Sequence, residues 1–247
     1  MFHVKPAADS VADQITTEMV QEALTEIQHT SSMEQASLIA EHANLVAKAN
    51  RKFNLTRITS REDVLRLHIQ DSVLALPAVL ASPVGVMMDI GSGAGYPGVP
   101  LAILTGRRTI LVDSVRKKAD FLQEVVERLH LDGQGYWGRA EEFGLEWRGT
   151  LAVVTARGLA RLGAVVELSA PLLAIGGRAI ALKARIDDDE LRKGATVATL
   201  CGFGPPERDR MTLPGGEVRE IITFTKLTTP KIALPRRTGL AQRQPLG

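Results

Sequence analysis

The sequence predicts an α/β fold: a doubly wound, mostly parallel sheet of seven strands, preceded by a helical extension. Three observations predict it. From residue 86 onward, short apolar runs alternate with amphipathic stretches, the pattern of a parallel sheet wrapped by helices. A glycine-rich turn, Gly91-Ser92-Gly93-Ala94-Gly95, joins the first apolar run to a helix that Pro97 or Pro100 can start. An acid, Asp113, ends the second run about 20 residues further on, where such sheets contact a ribose.

The elements follow in order. Residues 1–10 are polar and without period, and read as disordered. From Val11, Ile15, Met19, Leu24 and Ile27 recur at roughly helical spacing. A second helix runs from about Met33 to Phe53, with Leu38, Ile39, His42, Leu45, Val46, Ala49 and Phe53 as its stripe. Thr59 and Glu62 resemble a capping box before a third helix through Leu67 to Leu76. Strands are predicted at Val86–Ile90, Thr109–Asp113, Tyr136–Arg139, Leu151–Thr155, Arg178–Lys183, Met211–Leu213 and Glu220–Leu227. Between them, Lys117–Leu129, Leu162–Ala174 (ended by Gly176-Gly177) and Asp187–Leu200 read as helices. The expected organisation is a helical portion over 1–80, a sheet domain over 81–228 and a basic tail over 229–247.

Composition excludes several classes. Thirty basic against 28 acidic side chains leave a net charge of +2, too little for binding nucleic acid by charge alone. One cysteine, Cys201, allows no intramolecular disulfide and no cysteine-based zinc site, and suits a reducing cytoplasm. The five histidines lack metal-ligand spacing, so no metal is expected. The N-terminus carries Asp9 and Asp13 and no signal-peptide pattern, and Pro77, Pro83, Gly85 and Asp89 interrupt the apolar stretch from Val73 to Ile90. No membrane contact is expected.

The glycine loop leaves alternatives. A dinucleotide fingerprint needs a third glycine where Tyr96 stands, and no G-K-[ST] follows for a phosphate loop of the Walker type. The spacing D-x-G-x-G-x-G instead looks like the first motif of methyltransferases that bind S-adenosylmethionine. A glycine-rich turn without a ligand is the bland alternative. Asp113 fits the ribose hydroxyls, or a helix cap for which Ser114 competes. Ala140-Glu141 ends the third strand beneath the adenine position, with Glu142 as competitor. His68 and Asp71, three apart, share a helix face, as a structural network or as a contact to RNA or cofactor. The tail from Lys226 to Gly247 has Lys226, Lys231, Arg236, Arg237 and Arg243 and no acid; it reads equally as a phosphate-binding arm or a solvated end.

A resemblance then becomes specific. Asn54-Leu55-Thr56, His68-Ile69-Gln70-Asp71-Ser72, the glycine loop with Tyr96-Pro97-Gly98-Val99-Pro100-Leu101, and Asp113-Ser114 with Lys118 and Phe121-Leu122 occur in one order. Arg139-Ala140-Glu141-Glu142, Ala156-Arg157-Gly158, Ala181-Leu182-Lys183 and the Pro-Arg-Arg-Thr-Gly tail complete it. Together they resemble the RsmG (GidB) family of bacterial small-subunit ribosomal RNA methyltransferases. Thr-Ala-Arg-Gly around Arg157, and Leu159 in place of a frequent aromatic, depart from the family pattern. The resemblance implies a Rossmann-like class I fold and methyl transfer from S-adenosylmethionine to N7 of a guanine in 16S ribosomal RNA. It implies cofactor contacts at Gly91, Gly93, Tyr96, Asp113, Ala140, Glu141 and Arg157.

No catalytic base is needed at guanine N7, which has a lone pair and no proton; Arg157 is the one candidate for assistance. An Asn/Asp-Pro-Pro-aromatic loop for an exocyclic amine is missing, and Cys201, in a Cys-Gly-Phe-Gly context, reads as a core residue rather than a nucleophile. RNA contacts are expected at Arg116, Lys118, Arg139, Lys183, Arg185, Arg236 and Arg237, with Lys117 on the same side. The expected partner is 16S RNA or the small subunit, met by a cytoplasmic monomer. Deleting residues 229–247 is expected to weaken RNA binding while sparing S-adenosylmethionine. Rival readings are a methyltransferase for another RNA or a small molecule, a non-catalytic cofactor- and RNA-binding protein, and an NAD-dependent oxidoreductase.

Overall fold

The computed structural model describes residues 14–144 and 146–246, so the expectations for residues 1–10 and for Val11 lie outside it. Helices α1 (Thr17–Glu26) and α2 (Met33–Asn50) lead in. Ser32 and Gln35 form a reciprocal capping box at the start of α2, satisfying two donors that the helix end would leave orphaned. The next helical stretch starts one residue later than expected. Ser60, not Thr59, is its cap, accepting from Asp63 N at 3.2 Å. It then widens into a π-helical turn over Val64–Gln70, regains α geometry at Asp71–Val73, and ends before α3 (Leu76–Leu80).

The sheet follows: β1 (Met87–Ile90), α4 (Gly98–Thr105), β2 (Thr109–Asp113), α5 (Arg116–Arg128), β3 (Gly133–Trp137), β4 (Leu151–Arg157), α6 (Leu162–Ser169) and β5 (Leu173–Lys183). Helix α7 (Asp188–Leu200), β6 (Glu207–Thr212), β7 (Val218–Thr225) and the short α8 (Leu240–Arg243) complete it. The order is β3-β2-β1-β4-β5-β7-β6, with β7 antiparallel to both neighbours and the other adjacent pairs parallel. Alternation along each strand feeds two cores. Leu111 and Val153 face the core built with α1, α2, α4 and α5; Ile110, Val112 and Val154 face the core built with α6 and α7. Among the described residues no helix is long and apolar enough to cross a membrane.

Three strand expectations are corrected, one of them the sixth strand, which runs Glu207–Thr212 rather than Met211–Leu213. The third strand is Gly133–Trp137 rather than Tyr136–Arg139. Glycines hide it in the sequence, and Gly135 is required by close approach: a Cβ there would stand 2.5 Å from Gln123 N of α5. Helix α6 stops at Ser169, well before Ala174, because Pro171 has no N–H to continue it. Gly176-Gly177 therefore lies inside β5, and its backbone pairs with Lys226 at 2.7 and 2.8 Å.

The basic tail folds back onto the body. Lys226 is buried, its ammonium donating to Ala170 O (2.9 Å) and Cys201 O (2.7 Å) beneath the Phe203 ring; burial pulls its pKa down to about 8. Arg236 makes a bidentate pair with buried Glu167, 2.7 Å at each oxygen, and also donates to Gln244 O. Leu234 and Ala241 are buried beside it. Residues 234–246 thus form a strap across the α6 side of the sheet, not a free arm.

A second polar cluster ties the N-terminal helices to the sheet. Asp71 accepts from Arg157 of β4 (2.7 Å) through one oxygen and from Arg219 of β7 (2.8 Å) through the other. Arg157 also donates to Leu67 O and to His68 Nδ1 at 3.0 Å. Arginine only donates, so His68 Nδ1 is the acceptor and Nε2 carries the proton, given to Thr56 Oγ1 at 2.9 Å. The His68 ring stacks on Tyr96 at 4.4 Å, and His42 sits tilted against the same ring while donating from Nε2 to Ala94 O.

Both imidazoles are held neutral. Burial draws His42 down to about 4; burial, then the Arg157 charge, draws His68 down to about 3. An unfolded histidine takes its proton near pH 6.5, so between there and pH 4 the unfolded chain binds more protons and stability falls as pH falls. Denaturant midpoints measured from pH 7 to pH 4.5 are expected to fall less steeply in His68→Gln than in the wild type. Equal slopes would mean that His68 is protonated freely in the folded protein.

Candidate functional site

The glycine loop is fixed from below. Asp89, fully buried in β1, accepts from Thr155 Oγ1 (2.8 Å) and from Gly98 N (3.2 Å), pinning β4 and the first turn of α4 to the strand; burial raises its pKa. The N–H groups of Gly91 and Ser92 both donate to Val112 O, at 2.8 and 3.0 Å. Gly93 then turns at φ +59°, and its N–H donates to Asp113 Oδ2 at 3.0 Å. A Cβ on Gly93 would meet only Gly91 O, at 3.9 Å, so this turn opens outward.

Asp113 is held by two backbone N–H groups. Its Oδ1 accepts from Val115 N at 2.8 Å, which sets the turn into α5, while Oδ2 holds the glycine loop. A carboxylate has about four acceptor sites, so two remain for hydroxyl donors. Glu141 and Glu142 separate cleanly: Glu142 accepts from Arg139 N at 3.0 Å and closes its own turn, whereas Glu141 lines the cavity beside the loop.

That cavity, about 40 Å³, lies at the carboxyl ends of β1 and β2. Ile90, Val112, Ala140, Leu159 and Leu168 give it apolar walls, and Gly91, Ser114, Gly138, Arg139 and Glu141 give it a polar rim. An apolar slot beside a carboxylate, next to a second carboxylate with two spare acceptor sites, has the chemistry that an adenosine would need, in a volume smaller than a purine. Crevices at the strand carboxyl ends are where this architecture binds ligands.

Of the residues expected to hold the cofactor, Gly91, Ala140 and Glu141 line this cavity, and Gly93 and Asp113 adjoin it through their mutual hydrogen bond. The side chains of Tyr96 and Arg157 do not. The Tyr96 ring is buried against both histidines, and Arg157, the last residue of β4 rather than one following it, is spent on Leu67, His68 and Asp71. Gln242 of the strap also lines the cavity, and Gly239 N donates to Glu141 Oε1 at 2.7 Å. Sequence reasoning missed both, because nothing in a basic, proline-broken segment says where it returns.

Among the expected RNA contacts, Arg116, Arg139, Arg185 and Arg237 are exposed and Lys118 is half-buried. Arg116 lies 5.1 Å over the exposed Trp137 ring. Lys183 is engaged inward, donating to Ala160 O and to Glu190 at 2.7 Å, and Arg236 is held by Glu167. The Cys201 thiol is buried and pushed up to about 12 by burial and the Glu167 charge, so it supplies no thiolate.

The family described as rRNA small subunit methyltransferase G (GidB) matches residues 35–209. A ribosomal RNA small subunit methyltransferase G of Moorella thermoacetica is 36% identical over 88% of this chain and 92% of its own. One from Limosilactobacillus reuteri is 36% identical over 93% and 98%. Among solved structures, an O-methyltransferase from Bacillus cereus in complex with SAH aligns at TM-score 0.56 and 14% identity, over 84% of this chain and 97% of that one, a likeness of fold. By this match, and by relatives alike over nearly their whole length, the chain belongs to the ribosomal RNA small subunit methyltransferase G family.

Proposed function

We propose that this enzyme transfers methyl from S-adenosylmethionine to N7 of a guanine in 16S ribosomal RNA of the small subunit. The observation that carries the reading is the Asp113–Gly93 hydrogen bond beside the Glu141 cavity, in a chain of this family. In the reading, Asp113 receives the ribose hydroxyls, Gly91, Ala140 and Glu141 surround the adenine, and the glycine turn leaves space above itself. The cofactor supplies a methyl group made electrophilic by its sulfonium. The protein's own work is positioning: guanine N7 offers an in-plane lone pair and has no proton to lose, so alignment replaces a general base. Arg157, with Asp71 and His68, acts as a positioning residue that braces the Tyr96 end of the loop.

RNA docks on the carboxyl edge of the sheet. Arg116, Lys118, Arg139, Arg185 and Arg237 supply the positive charge there, while Lys183 and Arg236, each engaged with a carboxylate, serve the fold. In this reading the enzyme works as a cytoplasmic monomer, and its buried, lone cysteine suits a reducing compartment.

Three measurements test the reading. Small subunits from a strain lacking this gene, incubated with labelled S-adenosylmethionine, are expected to gain label at one guanine N7, and Gly93→Asp to lose it by more than about 100-fold. A side chain at φ +59° is strained, and a second carboxylate beside Asp113 repels the first. Label in a small molecule or another RNA would redirect the substrate. Removing Arg139 is expected to lower the slope of log affinity for RNA against log salt by about 1. Removing Lys183 is expected to leave that slope unchanged while lowering thermal stability; the reverse pattern would reassign the RNA face.

A further inference from the structure

The strap reaches the cavity, and its attachment there is built rather than incidental. Arg236 is clamped on both oxygens of Glu167, a carboxylate only 3% exposed. Arg148 donates to Leu234 O at 3.0 Å, and Ala241 is buried against the α6 side. These anchors lie on either side of Gly239, whose N–H meets Glu141 Oε1 at 2.7 Å. Three residues on, exposed Gln242 joins Glu141, Ala140 and Gly91 in lining the cavity.

We infer that Gln242 is a further cofactor-binding residue, presented by the C-terminal strap, and that it contacts the 6-amino edge of the adenine. The inference rests on the cavity being the adenosine site. The Glu141 carboxylate already accepts from Gly239 N and offers further acceptor sites. The sole N–H donor of an adenine attached through N9 is its 6-amino group. The base therefore turns that group toward Glu141, and so toward the strap that Glu141 holds. Gln242 adds an amide oxygen that accepts from the same amino group and an amide N–H that reaches the neighbouring ring nitrogen, the bidentate match of glutamine to adenine. The cavity, about 40 Å³, has room for one or two waters rather than a purine, so the Gln242 side chain turns as the base enters.

This replaces the expectation that losing residues 229–247 would spare cofactor binding. Truncation also exposes Glu167 as an unpaired buried carboxylate, so point variants are the cleaner test.

Calorimetric titration with S-adenosylhomocysteine, and with its analogue bearing hydrogen in place of the 6-amino group, tests the inference in the full-length protein. Gln242→Ala is expected to weaken S-adenosylhomocysteine about 5- to 20-fold, as loss of one or two neutral hydrogen bonds does. It is expected to weaken the desamino analogue less, through the ring-nitrogen contact alone, with a thermal midpoint like the wild type's. The cycle isolates the contact between Gln242 and the amino group. Equal weakening of both ligands, or of neither, overturns it. Asp113→Ala separates this from failure of the site itself. If Asp113→Ala loses affinity at least tenfold while Gln242→Ala binds like wild type, only the strap inference falls. If Asp113→Ala also binds like wild type, the cavity is not the adenosine site and both readings fall.

Discussion

One carboxylate holds three parts of this molecule in register. Asp71 sits in the helical stretch ahead of the sheet, and it receives Arg157 from β4 and Arg219 from β7, an oxygen for each. All three side chains are largely buried, so each charge is compensated by the others rather than by water. The arrangement explains the π-helical turn before it. Widening by one residue per turn brings the Leu67 carbonyl, His68 Nδ1 and the Asp71 carboxylate to a single guanidinium. His68 then fixes Thr56 on one side and the Tyr96 ring on the other. The glycine loop is thereby braced from the N-terminal helices as well as from its own strand, and the helical extension belongs to the site's foundation.

That dependence also explains why the two histidines are neutral. A proton on His68 Nδ1 would face the Arg157 guanidinium at 3.0 Å and remove the lone pair that accepts from it. Stability in mild acid is therefore bound to loop geometry through one ring.

The fold was legible in the sequence where local pattern and tertiary demand agree. Strand β2 falls at Thr109–Asp113 as read, because an all-buried strand needs an unbroken apolar run and an acid marks its exit. It was illegible where contact replaced pattern. Gly135 makes β3 look like a loop, yet glycine is there because α5 passes too close for a Cβ. Lys226 reads as a basic tail residue, yet two carbonyls and an aromatic ring solvate its ammonium inside the protein. The site divides the same way. The glycine turn and Asp113 were legible from spacing, since a strand and its following turn are local, whereas spacing did not separate Glu141, which lines the cavity, from Glu142, which does not. Whether the side chains of Tyr96 and Arg157 face the ligand or the interior was not legible, since that depends on His42 and His68 arriving from distant helices.

The charges at the carboxyl edge follow one further constraint. A cation already paired to a carboxylate has less to offer a phosphate, because binding would strip a partner before gaining one. Lys183 and Arg236 resemble Arg139 and Arg237 in sequence, being basic residues in the right segments, but Glu190 and Glu167 have neutralised the first two. The Arg236–Glu167 pair spends its charge on geometry instead: it sets where the strap crosses α6, and hence where Gly239 meets Glu141. A segment whose composition suggests RNA is thus built, at its anchored end, to shape the Glu141 side of the cavity. Only its outward residues, Arg237 foremost, are left to face a polyanion. Under the proposed function the two surfaces would share this strap, so moving it to admit one would alter the surface presented to the other.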